Sequence, residues 1–209
     1  RDSESTGEAG EVVLFATCFG NYNAPEVAKA AVTVLEHLGF RVDHVAETCC
    51  GMPNLDGGDI ERFLAKLKHN IGQLLPHVEA GKQILVPMPT CSMTMKSEWY
   101  EYLPDPDVKR VAEATFDLME FIEKQRRAKK LPPPEHALGR VAYHAPCHLR
   151  AQKIGFPAAR TLSKAVPDTE VQIVQECSAV DGTWGMKAEH YDTGRRYAKR
   201  LVQEMSSGE

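Results

Sequence analysis

The 209-residue chain has 43% hydrophobic residues, 26% charged residues and a formal net charge of -4, as in an ordinary globular protein. It has no general excess of positive charge to attract nucleic acid or an anionic membrane, so nucleic acid is not an expected partner. No apolar run approaches the ~20 residues of a bilayer-spanning helix, and the first ten residues lack the apolar centre of a signal peptide. We therefore expect a cytoplasmic protein, with any association at the inner face of the membrane being peripheral and through a partner.

The hydrophobic pattern predicts strands that alternate with helices along the chain. In chain order the predicted elements are a disordered segment at 1–11, a strand from Val12 towards Cys18, a helix between the candidate N-cap Asn23 and Gly39, a strand at 40–47, a helix at 59–77, a strand at 83–88, helical segments at 92–102 and 107–130, a strand from Val141, a strand at 170–175 and a helix at 191–205. This alternation is typical of βαβ units, in which helices pack on a parallel sheet. The predicted fold class is therefore α/β.

The same order of elements occurs nearly twice. The β-rich run ending at Cys18 aligns with the run ending at Cys147, and Cys49 aligns with Cys177 at almost the same offset. The predicted organisation is a duplicated domain with two lobes of mostly parallel sheet and flanking helices. We expect the second copy to be truncated, because the sequence stops before an equivalent of Cys91.

A proline-rich segment separates the two copies. Residues 131–139 include three consecutive prolines, which prevent a helix and fit an extended linker. We therefore predict a first lobe at 12–130, a linker at 131–139 and a second, incomplete lobe at 140–209.

The cysteines of the first lobe follow the ends of its three predicted strands: Cys18 after the first, Cys49 and Cys50 after the second, and Cys91 after the third. Because sites in parallel sheets gather beyond the carboxyl ends of the strands, we expect these four sulfurs to converge. A cytoplasmic environment keeps thiols reduced, which favours ligands over disulfides. Thiolates select zinc, copper(I) or iron–sulfur clusters, and four of them suit either zinc or a cluster.

The vicinal pair favours a cluster over zinc, because two adjacent thiolates do not easily share one tetrahedron, whereas a cluster offers them different iron atoms. Gly51 and Pro53 follow the pair and are candidate cofactor-binding residues. Gly51 allows a close backbone approach or a positive φ, and Pro53 stiffens the exit of the loop. Two alternatives stay open: buried thiols that act as small apolar groups, and a vicinal disulfide, which is strained because adjacent Cα atoms are only ~3.8 Å apart.

Five segments carry a resemblance to a known family: 18–25, 48–53, 89–91, 143–148 and 182–187. They resemble the CCG cysteine-rich domain family, which includes a subunit of heterodisulfide reductase and the iron–sulfur subunits of lactate, glycolate and, above all, anaerobic glycerol-3-phosphate dehydrogenases. The resemblance implies a duplicated α/β domain that binds a [4Fe–4S] cluster, in some members non-cubane, or zinc. It also implies a subunit of an oxidoreductase complex, passing electrons between a dehydrogenase partner and a quinone, thiol or disulfide acceptor. A catalytic heterodisulfide reductase-type subunit and a zinc-binding or metal-free scaffold are the alternatives.

The chain departs from the family pattern at three places. Thr94 stands where the third element of the family has a further cysteine, Ser178 follows Cys177 in place of a vicinal cysteine, and the last cysteine element of the second copy is absent. We therefore expect Cys147 and Cys177 to form a second, incomplete metal site. The two histidines beside Cys147 are further candidate ligands or ordinary hydrogen-bonded groups.

Overall fold

The computed structural model describes residues 5, 7–180 and 183–207. The chain forms two compact units, Arg1–Phe121 and Ile122–Glu209. Their boundary falls inside a helix, earlier than the proline-rich segment at which the sequence placed it. Residues 128–138 contain no helix or strand.

Parallel strands and intervening helices make up both units. The strands are β1 (Gly10–Leu14), β2 (Phe40–His44), β3 (Gln83–Val86), β4 (Thr115–Asp117), β5 (Gly139–His144) and β6 (Thr169–Val174). The α-helices are α1 (Thr17–Tyr22), α2 (Pro25–His37), α3 (Met52–Asp56), α4 (Ile60–Glu79), α5 (Pro89–Met93), α6 (Trp99–Tyr102), α7 (Pro106–Ala114), α8 (Leu118–Arg127), α9 (Cys147–Ala151), α10 (Pro157–Ala165) and α11 (Tyr191–Ser206). A π-helical turn, Thr94–Glu98, joins α5 to α6, and two 3-10 turns, Trp184–Met186 and Ala188–His190, precede α11. Among the helices of the described residues, none combines the length and the apolar character needed to cross a bilayer.

The first unit contains a four-stranded parallel sheet in the order β2-β1-β3-β4. β1 lies inside the sheet, and Val12 pairs with Val42 on one side and with Gln83 on the other. The chain thus leaves β1 in one direction to reach β2 and returns to its other side for β3. This reversal creates a crevice beyond the carboxyl ends of β1 and β3, the usual place for a site in an open α/β sheet.

The core of the first unit lies between this sheet and α4. Val13, Ile84 and Val86 from the strands are fully buried with Phe63 and Leu67 of α4. The helix begins as the sequence predicts, because the side chain of its N-cap Asp59 accepts a hydrogen bond from the Arg62 amide. The α/β prediction is confirmed.

The second unit contains two parallel strands, β5 and β6, paired from Gly139 with Thr169 to His144 with Val174. They stand in the same relation as β1 and β2, which pair from Gly10 with Phe40 onwards. The sequence duplication therefore corresponds to a repeated strand pair.

Three details of the predicted elements are wrong. The helical segment predicted at 107–130 is interrupted by β4, whose three residues pair with β3. Gly10 and Glu11, assigned to the disordered segment, are the first residues of β1, whereas residues 1–4 and 6 lie outside the described residues. Asn23 is not the N-cap of α2, because the helix begins at Pro25 after Ala24.

A buried glutamate in the second unit forms ion pairs with three arginines. Glu123 of α8 has a side chain that is only 5% exposed and forms ion pairs with Arg126 at 2.7 Å, Arg127 at 3.0 Å and Arg160 of α10 at 3.4 Å. Its Oε2 also accepts a hydrogen bond from the Thr161 hydroxyl at 3.1 Å. The hydrogen bond from Arg126, followed by those from Arg127 and Thr161, lowers the pKa of Glu123 to about 2 against the opposing effect of burial.

Replacing this carboxylate, in Glu123→Gln, is expected to lower the free energy of unfolding by about 2–3 kcal/mol near neutral pH. A depressed pKa stabilises the fold only while the carboxylate is ionised. The difference from wild type should therefore be full above pH ~5 and should shrink as the pH falls towards the folded pKa of about 2. Urea denaturation at several pH values measures it. Glu113→Gln is the matched control, since the Lys109–Glu113 pair is exposed and 3.9 Å apart, and it should change little. A difference that is constant across the acid range would contradict the expectation.

Candidate metal centre

Cys18 is presented by a strained turn after β1. Thr17, which precedes it, is fully buried and has a φ of 72°, unusual for a β-branched residue. Its hydroxyl compensates in part by accepting a hydrogen bond from the Gly20 amide at 3.1 Å. Backbone strain of this kind is concentrated at functional sites, where the surrounding structure must hold it in place.

Two buried side chains hold the loop that carries Cys49 and Cys50. Asn70 of α4 accepts a hydrogen bond from the Thr48 amide at 2.9 Å and donates one to the Cys49 carbonyl at 3.2 Å. The indole N–H of Trp99 in α6 donates to the Cys50 carbonyl at 2.9 Å. Both carbonyls of the vicinal pair are thus held by hydrogen bonds from buried side chains. The two sulfur atoms are therefore not needed to position this backbone.

Gly51 adopts a left-handed conformation that no other residue type would adopt easily here. Its φ is 98°, and a Cβ atom at this position would lie 2.6 Å from Cδ2 of Phe63. The predicted positive φ is therefore present, and the side of Gly51 where a Cβ would stand faces Phe63. The Gly51 amide lies 3.5 Å from the Cys49 sulfur as a donor, and Pro53 follows in the first turn of α3.

Cys91 is the third residue of α5, which follows β3 after a two-residue connection, and it is buried, with an exposure of 7%. All six cysteines are free thiols, so the vicinal disulfide considered for Cys49 and Cys50 is absent. Thr94, which replaces the further cysteine of the family pattern, is buried and bonds through its hydroxyl to the Thr90 carbonyl at 2.9 Å.

The four thiols of the first unit meet in a series of contacts. The sulfur atoms of Cys18 and Cys49 are 3.7 Å apart, and Cys50 lies close enough to Cys49 and Cys91 for both to raise the pKa of its thiol. Hydrogen bonds from Cys18 and then Cys50 lower the pKa of the Cys49 thiol, whereas the same contacts raise the pKa of the two donors. The contacts therefore favour the thiolate form of Cys49 over that of Cys18 and Cys50, and a thiolate is the form that binds metals.

The donor set fits a soft metal, although the arrangement is not a finished coordination sphere. Within residues 5, 7–180 and 183–207, no group of three or more His, Cys, Asp or Glu side chains stands ready to hold a metal ion. Four thiols in successive contact nevertheless form an all-sulfur environment, which suits iron–sulfur clusters and zinc and not hard cations.

The second unit repeats the backbone of this loop without its cysteines in contact. The Ala179 amide donates to the Cys177 sulfur at 3.3 Å, and Ala179 has a φ of 57°. Gly51 has the same two features in the first unit, an amide that donates to the Cys49 sulfur and a left-handed φ. Cys147 and Cys177 are both exposed, and Arg150 donates to the Cys147 sulfur at 3.3 Å.

The histidine preceding Cys147 in this unit has a backbone partner. The Nε2 atom of His144 lies 2.9 Å from the Glu176 carbonyl, so this contact joins the end of β5 to the loop after β6. This contact is the ordinary hydrogen-bonded role that the sequence left open for it.

Two residues that hold the loop of the vicinal pair, Asn70 and Trp99, are missing from the site predicted by the sequence. A signal for Asn70 existed, since it lies on the core-facing stripe of α4 between Leu67 and Leu74, where a polar residue needs buried partners. Trp99 carried no such signal, because a fully buried tryptophan is ordinary in a core.

Removal of the Asn70 side chain, in Asn70→Ala, is expected to lower the free energy of unfolding by about 2 kcal/mol, because it leaves the Thr48 amide and the Cys49 carbonyl without their partner. Urea denaturation of the metal-free protein measures the change. Asn21→Ala is the matched control, since it removes only an exposed bond to Glu47. Equal stability of the two variants would show that Asn70 does not hold the loop.

Comparison with known proteins agrees with this architecture. The CCG cysteine-rich domain model matches residues 12–96 and 141–209, one segment in each unit. The chain therefore belongs to the CCG cysteine-rich domain family, and the two matches agree with a duplicated domain.

The similar proteins include a dehydrogenase subunit and two lactate utilization proteins. The chain is 26% identical over 199 residues to a subunit of the anaerobic glycerol-3-phosphate dehydrogenase of Escherichia coli, covering 93% of this chain and 50% of that protein. Lactate utilization protein A of an Exiguobacterium species is 32% identical over 189 residues, covering 84% of this chain and 74% of the relative. The protein of the same name from Geobacillus kaustophilus is 28% identical over 185 residues, covering 85% and 75%. The chain thus spans half the length of the Escherichia coli relative.

Proposed function

We propose that this chain is an iron–sulfur cluster-binding electron-transfer subunit of an oxidoreductase complex. Cys18, Cys49, Cys50 and Cys91 hold a [4Fe–4S]-type cluster, and Gly51 and Pro53 shape the loop around it. The observation that carries the proposal is the contact series of four thiols beyond the carboxyl ends of β1, β2 and β3. A bound cluster supplies one-electron redox chemistry.

The protein residues contribute the environment in which that chemistry occurs. Trp99 and Asn70 anchor the backbone of the vicinal pair, and the fully or nearly buried Cys50 and Cys91 limit the access of water. Fixed ligands and restricted solvent are two of the means by which proteins set the reduction potential of a cluster.

The names of the relatives support a proposal about the partners of this chain. The Escherichia coli relative is a dehydrogenase subunit, so other subunits of an oxidoreductase complex are the proposed partners. In this proposal a dehydrogenase partner donates electrons, and a quinone, thiol or disulfide accepts them. Cys147 and Cys177 of the second unit form an incomplete site, whose exposed sulfurs need further ligands to retain a metal.

The test is metal analysis of protein purified without oxygen. Iron and acid-labile sulfide should be present at about four of each per chain, with a broad visible absorption and an electron paramagnetic resonance signal on oxidation or reduction. Colourless protein with stoichiometric zinc, or protein that cannot be loaded with iron and sulfide under reducing conditions, would overturn the proposal.

A further inference from the structure

The fourth parallel strand of the first unit also ends in an ionisable side chain. Asp117 is the last residue of β4 and pairs in register with Val86, the last residue of β3. It therefore lies at the same edge of the sheet as the four thiols. The residue is only 3% exposed, although it carries a carboxyl group.

The two oxygens of this carboxyl join two separate helices. Oδ2 accepts a hydrogen bond from the Ser92 hydroxyl at 3.2 Å, and Oδ1 accepts one from the Met119 amide at 3.0 Å at the start of α8. Ser92 is fully buried and directly follows Cys91 in α5. Asp117 thus connects the turn that presents Cys91 to the beginning of α8.

Burial of this carboxyl is costly and is only partly offset. Burial raises the pKa of Asp117, while hydrogen bonds from the amides of Met119 and Glu120 and from Ser92 oppose the rise. Buried polar groups are hydrogen-bonded, and a satisfied network of such bonds makes the surrounding structure rigid. Here they hold Ser92, whose hydroxyl also lies 3.1 Å from the Pro89 carbonyl within the first turn of α5.

We propose that Asp117 is a positioning residue for Cys91, acting through Ser92 to fix the turn that brings the Cys91 sulfur against Cys50. The identity of the bound group rests on the proposed function, but the positioning is a property of the metal-free protein. Asp117 does not touch the metal centre in this proposal. Its role is to keep α5 in the one orientation that completes the thiol series.

The substitutions Asp117→Asn and Asp117→Ala separate positioning from charge. The amide of Asn can accept from the Met119 amide and donate to the Ser92 hydroxyl, which then donates to the Pro89 carbonyl, so the connection survives without the carboxyl. Alanine removes the connection altogether. The matched control is Thr115→Val, a buried residue of the same strand whose hydroxyl bonds instead to the Val111 carbonyl in α7.

The readout is the alkylation rate of each cysteine in the reduced, metal-free protein, measured with iodoacetamide and peptide mass spectrometry. Asp117→Ala should increase the rate at Cys91 by about tenfold relative to exposed Cys147 in the same sample, because the turn opens more often. Asp117→Asn should rescue the rate to within about twofold of wild type, and Thr115→Val should leave it unchanged.

Ser92→Ala is the second variant, for use if Asp117→Ala does not fold. It removes only the hydroxyl that connects Asp117 to α5, and it should also raise the alkylation rate at Cys91 selectively. A wild-type rate at Cys91 in Ser92→Ala, or equal acceleration of Cys147, would overturn the positioning role. In the loaded protein, Asp117→Asn should retain the wild-type spectrum and Ser92→Ala should alter it. Zinc in place of iron would refute the proposed function and leave the alkylation test intact.

Discussion

Cys49→Ser or Cys91→Ser protein, purified without oxygen, is expected to retain at least about tenfold less iron than wild type. Loss of a supporting group around a metal commonly costs 10–100-fold in affinity, and loss of a ligand costs no less. Cys49 is in contact with Cys18 and has a lowered thiol pKa, and Cys91 is the member of the series that α5 supplies after β3. Both changes therefore remove a contact that no neighbouring sulfur replaces.

Cys147→Ser is the matched control for this experiment. Cys147 is an exposed cysteine at a strand end of the second unit and has the Arg150 guanidinium as its neighbour instead of a second thiol. Its replacement should change iron content little. Iron and sulfide analysis, together with the visible spectrum, measures all three variants. Equal losses across the three would mean that the principal site is not confined to the first unit.

Gly51→Ala is expected to lower the free energy of unfolding by about 3 kcal/mol. Two costs combine: a side chain at a left-handed φ costs about 1–2 kcal/mol, and the new Cβ clashes with the buried ring of Phe63, an overpacking cost of about 1–3 kcal/mol. Phe63 cannot move freely, because it packs edge-on against Tyr102 with ring centroids 5.3 Å apart. The loop of Cys49 and Cys50 should shift instead, so iron content should fall as well.

Gly58→Ala isolates the first of these two costs. Gly58 has a φ of +74°, but nothing lies within 4 Å of a Cβ built there, so only the backbone cost of about 1–2 kcal/mol remains. A second comparison, Gly51→Ala combined with Phe63→Leu, should recover part of the overpacking cost relative to the sum of the single changes. Urea denaturation of the metal-free variants measures each value. Equal destabilisation by Gly51→Ala and Gly58→Ala would show that Phe63 yields without cost.

The convergence of the cysteines was predictable because it follows from chain pattern alone. Cys18, Cys49 and Cys91 each come after a β-rich run, and parallel strands bring such positions to one edge whatever the details of packing. The duplication was predictable for a similar reason, since Cys147 follows Cys18 and Cys177 follows Cys49 at nearly the same offset. Those inferences required no knowledge of tertiary contacts.

The parts that could not be predicted depend on such contacts. β4 is three residues long and lies between helical patterns, so it is too short to show a period of its own, and its pairing with β3 becomes visible only in the folded chain. A helix predicted across this segment conceals the position of Asp117 at the edge of the sheet. The left-handed φ of Thr17 likewise has no local sequence signal, because a β-branched residue disfavours it.

The strand order β2-β1-β3-β4 also sets the point in synthesis at which the four sulfurs can meet. β3 pairs not with β2 but with the other side of β1, so a nascent chain that ends before Cys91 lacks the fourth sulfur, and one that ends before Gln83 also leaves that side of β1 unpaired. Under the proposed function, a cluster can therefore be retained only after Cys91 has left the ribosome. A filled centre then marks a polypeptide synthesised at least as far as α5.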